Sequence, residues 1–159
     1  MKTLGDLKWL VTAGKPTSAL KAAALLYLHG VRVSASVRLK VSDANFATSP
    51  TTISLDDSRV VFVTDELSNL IKAMTIGKSE GALLLGYNGF LEFHSDFRRM
   101  VRACRTRFDL SDIKEIFRMA AGSDYSLLKQ YQSARPFTPE DVRKAWLKVH
   151  PRLTVWGLG

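Results

Sequence analysis

Residues 31–41 alternate without a break, with Val31, Val33, Ala35, Val37, Leu39 and Val41 on one parity and Arg32, Ser34, Ser36, Arg38 and Lys40 on the other. Successive side chains of a strand point to opposite faces, so the run predicts a β-strand with one buried face. Such a strand demands partner strands and an apolar layer beneath it, which narrows the fold more than any other feature of the chain. The same parity sets Arg32, Arg38 and Lys40 in an outward basic row. That row reads either as a solvated outer face or as a set of anion contacts.

Helical periodicity dominates elsewhere. Leu4, Leu7, Leu10 and Val11, with Lys2 and Lys8 between them, predict an amphipathic segment over 1–14 that stops near Gly14 and Pro16 and can dock on the core, a partner or a lipid surface. Ser18 is the expected N-cap of an Ala- and Leu-rich helix reaching Gly30. Residues 42–58, rich in Ser, Thr, Asp and Asn around Pro50, predict a long polar loop. A second strand follows over 58–64. Thr64 then caps a helix with the stripe Leu67, Leu70, Ile71 and Met74, ended by Gly77. Asn88 and Gly89 predict a hairpin over 82–94, although Gly86 could instead cap a helix.

From Ser95 the period is helical again, with Phe97, Met100, Val101, Cys104 and Phe108 on one face. Asp109 or Ser111 caps the next helix, built on Ile113, Ile116, Phe117 and Ala120 and closed by Gly122, and a short helix carries Leu127, Leu128 and Tyr131. Thr138, Pro139, Glu140 and Asp141 open a last helix with Val142, Trp146 and Val149 that is expected to end before Pro151. An apolar tail, 153–159, closes the chain. Together these elements predict an α+β class, a small mainly antiparallel sheet packed against several helices in a single domain spanning 1–159.

The chain has 159 residues, 46% apolar and 24% charged, enough to bury a core and unlike a disordered composition. Cys104 is the single cysteine, which excludes an internal disulfide and a Cys-based zinc site and suggests a reducing compartment. The longest apolar run, 22–28, is too short to cross a bilayer, and no cleavage pattern makes it a leader. Lys2 and the absence of a CaaX ending argue against common lipid anchors. The net charge of +8 points to polyanions, phosphate polymers or anionic headgroups.

Catalytic patterns are sparse. His29, His94 and His150 are far apart in sequence, and Cys104 reads better as a structural thiol than as a nucleophile. Asp56 and Asp57 read as turn residues, and Asp109 and Asp112 as helix caps rather than a catalytic pair. The richest cluster is Arg98, Arg99, Arg102, Arg105 and Arg107, five guanidiniums within ten residues. These can grip phosphates bidentately, or form a solvated face balanced by Glu92, Asp96 and Asp109. No RNP aromatic motif or GXXG loop accompanies them, so backbone contact is expected rather than base reading. Leu153, Val155, Trp156 and Leu158 in the tail, with Leu4 and Leu7 at the other end, pack on the chain's own core or on a neighbour.

The segments RVSASVRLKV, TDELSNLIKAMTIGKSEG and ALLLGYNGFLEF, in that order within residues 31–93, resemble the core of rhabdovirus matrix proteins. The resemblance implies a structural virion protein that self-associates, condenses the ribonucleoprotein and bridges it to the inner leaflet of a membrane. It would work in the host cytoplasm or nucleus and in the virion. No enzyme activity and no cofactor are expected. The expected partners are further copies of the chain, a nucleic acid or ribonucleoprotein, and a peripheral anionic membrane, with no transmembrane segment. A small non-catalytic RNA-binding regulator, such as a silencing or defence suppressor, is the alternative. An enzyme acting on a phosphorylated substrate through Cys104 or a histidine is the third reading.

Overall fold

The computed structural model describes residues 2–55, 59–129 and 139–155. Helix α1 (Leu4–Ala13) opens on a reciprocal cap in which the Asp6 N–H donates to Thr3 Oγ1 at 3.3 Å and the Thr3 N–H donates to the Asp6 carboxylate at 2.7 Å. Two donors orphaned at the helix start are thereby satisfied. Leu7, Leu10 and Val11 face inward, and Gly14 ends the helix. Helix α2 (Ser18–Leu28) is the central element. Its cap is Thr17, one residue earlier than expected, whose hydroxyl accepts from the Leu20 N–H at 3.2 Å. Leu20, Ala22, Ala23, Ala24, Leu25, Leu26 and Leu28 are all buried, and the small alanines let neighbouring helices close in from several sides.

The run 31–41 is not a strand. One helical turn, α3 (Val33–Ser36), interrupts it, held by Ser36 and Val37 N–H groups donating to Arg32 and Val33 carbonyls. Val31, Val33, Val37 and Leu39 are nonetheless buried, and Arg32, Ser34, Arg38 and Lys40 are exposed. Val33 and Val37 are four apart, a spacing that places two residues on one side in a strand and in a helix alike, so parity could not tell the two apart. Only a single antiparallel bridge, Lys40 with Leu83, remains of the expected ladder.

Two strands of the sheet form inside the segment expected to be a loop, and the third is the strand expected over 58–64. Strands β1 (Ala44–Asn45), β2 (Thr52–Ser54) and β3 (Val60–Phe62) pair antiparallel in that order, with Ile53 opposite Val61 and both fully buried. Helix α4 (Asp65–Met74) follows Thr64 as expected, burying Leu67 and Ile71. The expected hairpin over 82–94 is absent. Gly89 begins α5 (Phe90–Ala103), and Glu92 accepts the Asn88 N–H at 3.1 Å. Phe90, Phe93 and Phe97 already carry the helical period, which overrides the local turn preference of Asn88 and Gly89.

Helix α6 (Leu110–Ala121) packs on α2 and on α8 (Pro139–Leu153), and the short α7 (Tyr125–Lys129) also rests on α8. Asp109 and Asp112 form the α6 capping box, as their spacing predicts. Helix α8 runs through Pro151 rather than ending before it; the proline falls in the last turn, so the bond forgone is the single one to the Leu147 carbonyl and few residues follow it in the helix. Tyr131 and Thr138 lie outside the described residues. Helices and sheet share one contiguous apolar core, the α+β arrangement expected.

Gly30 is fixed by its surroundings. It sits at φ +80°, its carbonyl accepts from both terminal nitrogens of Arg59 at 3.4 Å, and an added Cβ would lie 2.8 Å from the Phe117 ring. Gly30→Ala therefore combines left-handed strain with a core clash and is expected to cost about 2–4 kcal/mol in chemical denaturation. A loss below about 0.5 kcal/mol would mean that the ring moves aside freely.

Candidate anion-contact surface

Helix α5 is amphipathic in three dimensions as well as in sequence. Phe93, Phe97, Met100 and Val101 are buried, and Phe97 stacks on Phe93 at 5.9 Å. The opposite side carries Arg98, Arg99 and Arg102, all exposed. At 3.6 residues per turn, Leu91, Ser95, Arg98 and Arg102 fall on one outward stripe. Asp109 lies 3.6 Å from Arg98 and Asp96 lies 3.4 Å from Arg99. The Arg98 pair is solvent-exposed, and in the other pair Arg99 is exposed while Asp96 is half-buried and also accepts from the Tyr87 hydroxyl at 3.2 Å; such pairs hold exposed guanidiniums only weakly, so a phosphate can replace the carboxylate.

Beyond the helix the chain turns through Cys104, its half-buried C-cap, and Arg105 at φ 51°. Arg105 and Arg107 are exposed, while Phe108 is buried and anchors the connection to α6. Lys2 lies over the Phe108 ring at 5.9 Å, a cation–π contact that adds a cation from the start of the chain to the same neighbourhood. Its spacing from Phe108 in sequence gave no sign of this.

The expected row of Arg32, Arg38 and Lys40 is divided. Arg38 and Lys40 border an open concavity of about 710 Å³ together with Val37, Leu83, Tyr87 and Phe90. Arg32 lies instead near Tyr27, where its charge acts on the phenol. The concavity stands at the start of α5 and Arg98, Arg99 and Arg102 in its second half, so the structure produces two cationic areas along one helix rather than a single site.

The terminal apolar residues fold back on the chain. Leu7 and Leu153 are fully buried, Val155 is nearly so, and Leu4 is half-buried against the core. The Val155 N–H donates to Glu66, and Arg152 Nη1 donates to the Ala120 carbonyl at 3.1 Å. Leu7, Leu153 and Val155 are thus core residues here rather than exposed self-association contacts. Trp156 and Leu158 lie outside the described residues.

The histidines have structural work. His29 is completely buried, its Nδ1–H donating to the Leu25 carbonyl at 2.8 Å and its Nε2 accepting the Thr64 N–H at 3.2 Å. Burial pushes its pKa down to about 3. His150 Nε2–H donates to the Phe62 carbonyl at 2.9 Å, and burial lowers its pKa as well. Trp146 lies beside both rings, with centroids 5.8 Å from His29 and 6.0 Å from His150. Among the described residues no group of three or more His, Cys, Asp or Glu side chains is placed to hold a metal ion, and no helix is long and apolar enough to cross a membrane. No family model, curated protein or solved structure matches the chain.

Proposed function

We propose that this is a non-catalytic, matrix-like structural protein that contacts ribonucleoprotein and an anionic membrane surface and associates with further copies of itself. The observation that carries it is the exposed face of α5, where Arg98, Arg99 and Arg102 stand on a rigid, well-packed helix, continued by Arg105 and Arg107. Rigid elements place charges more reproducibly than loops, and guanidiniums suit phosphate oxygens. A net charge of +8 supplies long-range attraction to the same polyanions. The resemblance of residues 31–93 to rhabdovirus matrix proteins agrees with this role in order of motifs. His29 is a poor catalytic candidate, since both of its ring nitrogens are spent on backbone groups.

The test is binding of a single-stranded RNA of mixed sequence across a salt series. Replacing Arg98, Arg99, Arg102 and Arg105 by Gln is expected to lower affinity by about 10²-fold or more near 0.1 M salt and to flatten the slope of log K against log salt by roughly three, about 0.7 per lost single-strand contact. Unchanged affinity and slope would place the polyanion elsewhere. A discrete RNA-binding regulator is the second reading, favoured by the burial of Leu7, Leu153 and Val155, which removes three of the expected copy-to-copy contacts. Tight RNA binding by a protein whose light-scattering mass stays constant with concentration, and which ignores vesicles, would select it.

A further inference from the structure

Trp9 is 50% exposed, whereas Trp146 is wholly buried. Leu7, Leu10 and Val11 form the buried side of α1, and Gly5, Trp9 and Thr12, spaced four and three apart, share its outward face. The ring stands clear of the turn before it, since a Cβ placed on Gly5 would meet Thr3 Oγ1 at 3.6 Å and no part of Trp9. Two contacts tie this helix along the arginine-bearing stretch. Lys2, just before α1, lies over the Phe108 ring at 5.9 Å. Gly14, just after it, sits so close to Met100 that a methyl group there would overlap that side chain. Helix α1, about 15 Å long, therefore runs beside residues 100–108 in the opposite direction. Between those two anchors one side exposes Arg102, Arg105 and Arg107, and the other exposes Lys8 and Trp9. The acids of the two stretches are Asp6, Asp96, Asp109 and Asp112. Asp96 and Asp109 pair with Arg99 and Arg98, while Asp6 and Asp112 accept the cap N–H groups of Thr3 and Asp109. Cations outnumber acids along this edge even with every carboxylate counted.

We infer that a single-stranded nucleic acid lies along this edge, with one base stacked on Trp9 and the adjoining phosphates held by Lys8, Arg102, Arg105 and Arg107. This assignment rests on the ribonucleoprotein half of the proposed function and deepens it, naming an unpaired strand as the form bound and Trp9 as the residue that tells it from a duplex. An indole face stacks on any base without reading sequence, and a cationic groove beside it tracks the backbone. In a duplex the bases are already stacked on one another, so phosphates alone are offered. A membrane fits the edge poorly, because the aliphatic side of α1 is spent on the core. Leu7, Leu10 and Val11 are buried, and the residues around Trp9 are Gly5, Lys8 and Thr12, which give a bilayer nothing to hold. A second copy also fits poorly, since two-fold pairing would set these cations against themselves.

The experiment compares full-length protein with Trp9→Ala and Trp9→Phe, both changes lying outside the core. The probes are a mixed-sequence single-stranded RNA, the same strand annealed to its complement, and inorganic polyphosphate, which carries charge and no bases. Trp9→Ala is expected to weaken single-strand binding about tenfold or more, to leave the slope of log K against log salt unchanged, and to keep duplex and polyphosphate affinities within about twofold of the wild type. Trp9→Phe should recover most of the loss. The single strand should also quench tryptophan emission of the wild type, and Trp9→Ala should lose that quenching. Equal single-strand affinity of Trp9→Ala and wild type overturns the assignment and leaves the arginines as a backbone contact. A similar loss toward all the probes overturns it too, since a stacked base cannot account for weaker polyphosphate binding. A wild type that binds none of them overturns the ribonucleoprotein half of the proposed function and this assignment with it. Loss of flotation with phosphatidylserine vesicles at unchanged RNA affinity would make Trp9 a membrane contact and overturn the assignment alone.

Discussion

Trp146→Ala is expected to lower the unfolding free energy by about 3–5 kcal/mol, the range for deleting a fully buried large aromatic. Trp146 is wholly inaccessible to solvent, stacks on Phe117 at 5.9 Å and on His29 at 5.8 Å, and touches His150. It therefore joins α8 to α6 and α2 at once, and no neighbour can collapse into the void without leaving its own partner. For a domain of ordinary stability this is a large share of the total. Urea denaturation followed by far-ultraviolet circular dichroism checks it. A loss below about 1 kcal/mol would show that α8 contributes little to the core.

Acid is expected to undo the same region. The folded-state pKa of His29 is pushed by burial from 6.5 down to about 3, so between those values the unfolded chain binds a proton that the folded one refuses. The stabilisation is complete above about pH 6.5 and is lost as the pH falls toward 3, at up to about 1.4 kcal/mol per unit, on the order of 5 kcal/mol in all. His150, also lowered by burial, acts in the same direction, opposed by Asp65, whose charge favours its protonation. Protonating His29 would make Nε2 a donor facing the Thr64 N–H, breaking the link between α2 and the start of α4. Urea midpoints measured from pH 7.5 to 4.5 should fall steeply for the wild type. His29→Gln, less stable at neutral pH, should fall with a shallower slope, and parallel curves would remove His29 as the cause.

Much of this core was legible in the sequence, because helices announce themselves twice, through caps and through period. Asp109 with Asp112 and Gly14 after α1 stand where their chemistry predicts, and Thr64 holds the N-cap position before Asp65 although its hydroxyl makes no cap bond. The apolar run Val60 to Val63 announced β3, but β1 and β2 were hidden because strands of two or three residues contain no alternation to detect, and their pairing depends on partners that local sequence does not specify. Residues 31–41 misled for the opposite reason, since burial there follows the alternating order except around Ser36, without a strand to produce it. At the candidate surface, the exposure of Arg98, Arg99 and Arg102 followed from helical period alone. The shared concavity of Leu83 and Phe90, and the meeting of Lys2 with Phe108, arise only when distant segments fold together.

Helix α5 has 14 residues and so forms a rod of about 21 Å, with the exposed Phe90 and Leu91 at one end and the arginines toward the other. Under the proposed function that rod sets a fixed gap, and a fixed gap gives each molecule two grips that can be filled independently. Linking two surfaces is then most effective when protein is scarce enough for both grips of one molecule to be engaged. In excess, each surface becomes coated by molecules held at one end only, and the two surfaces drift apart.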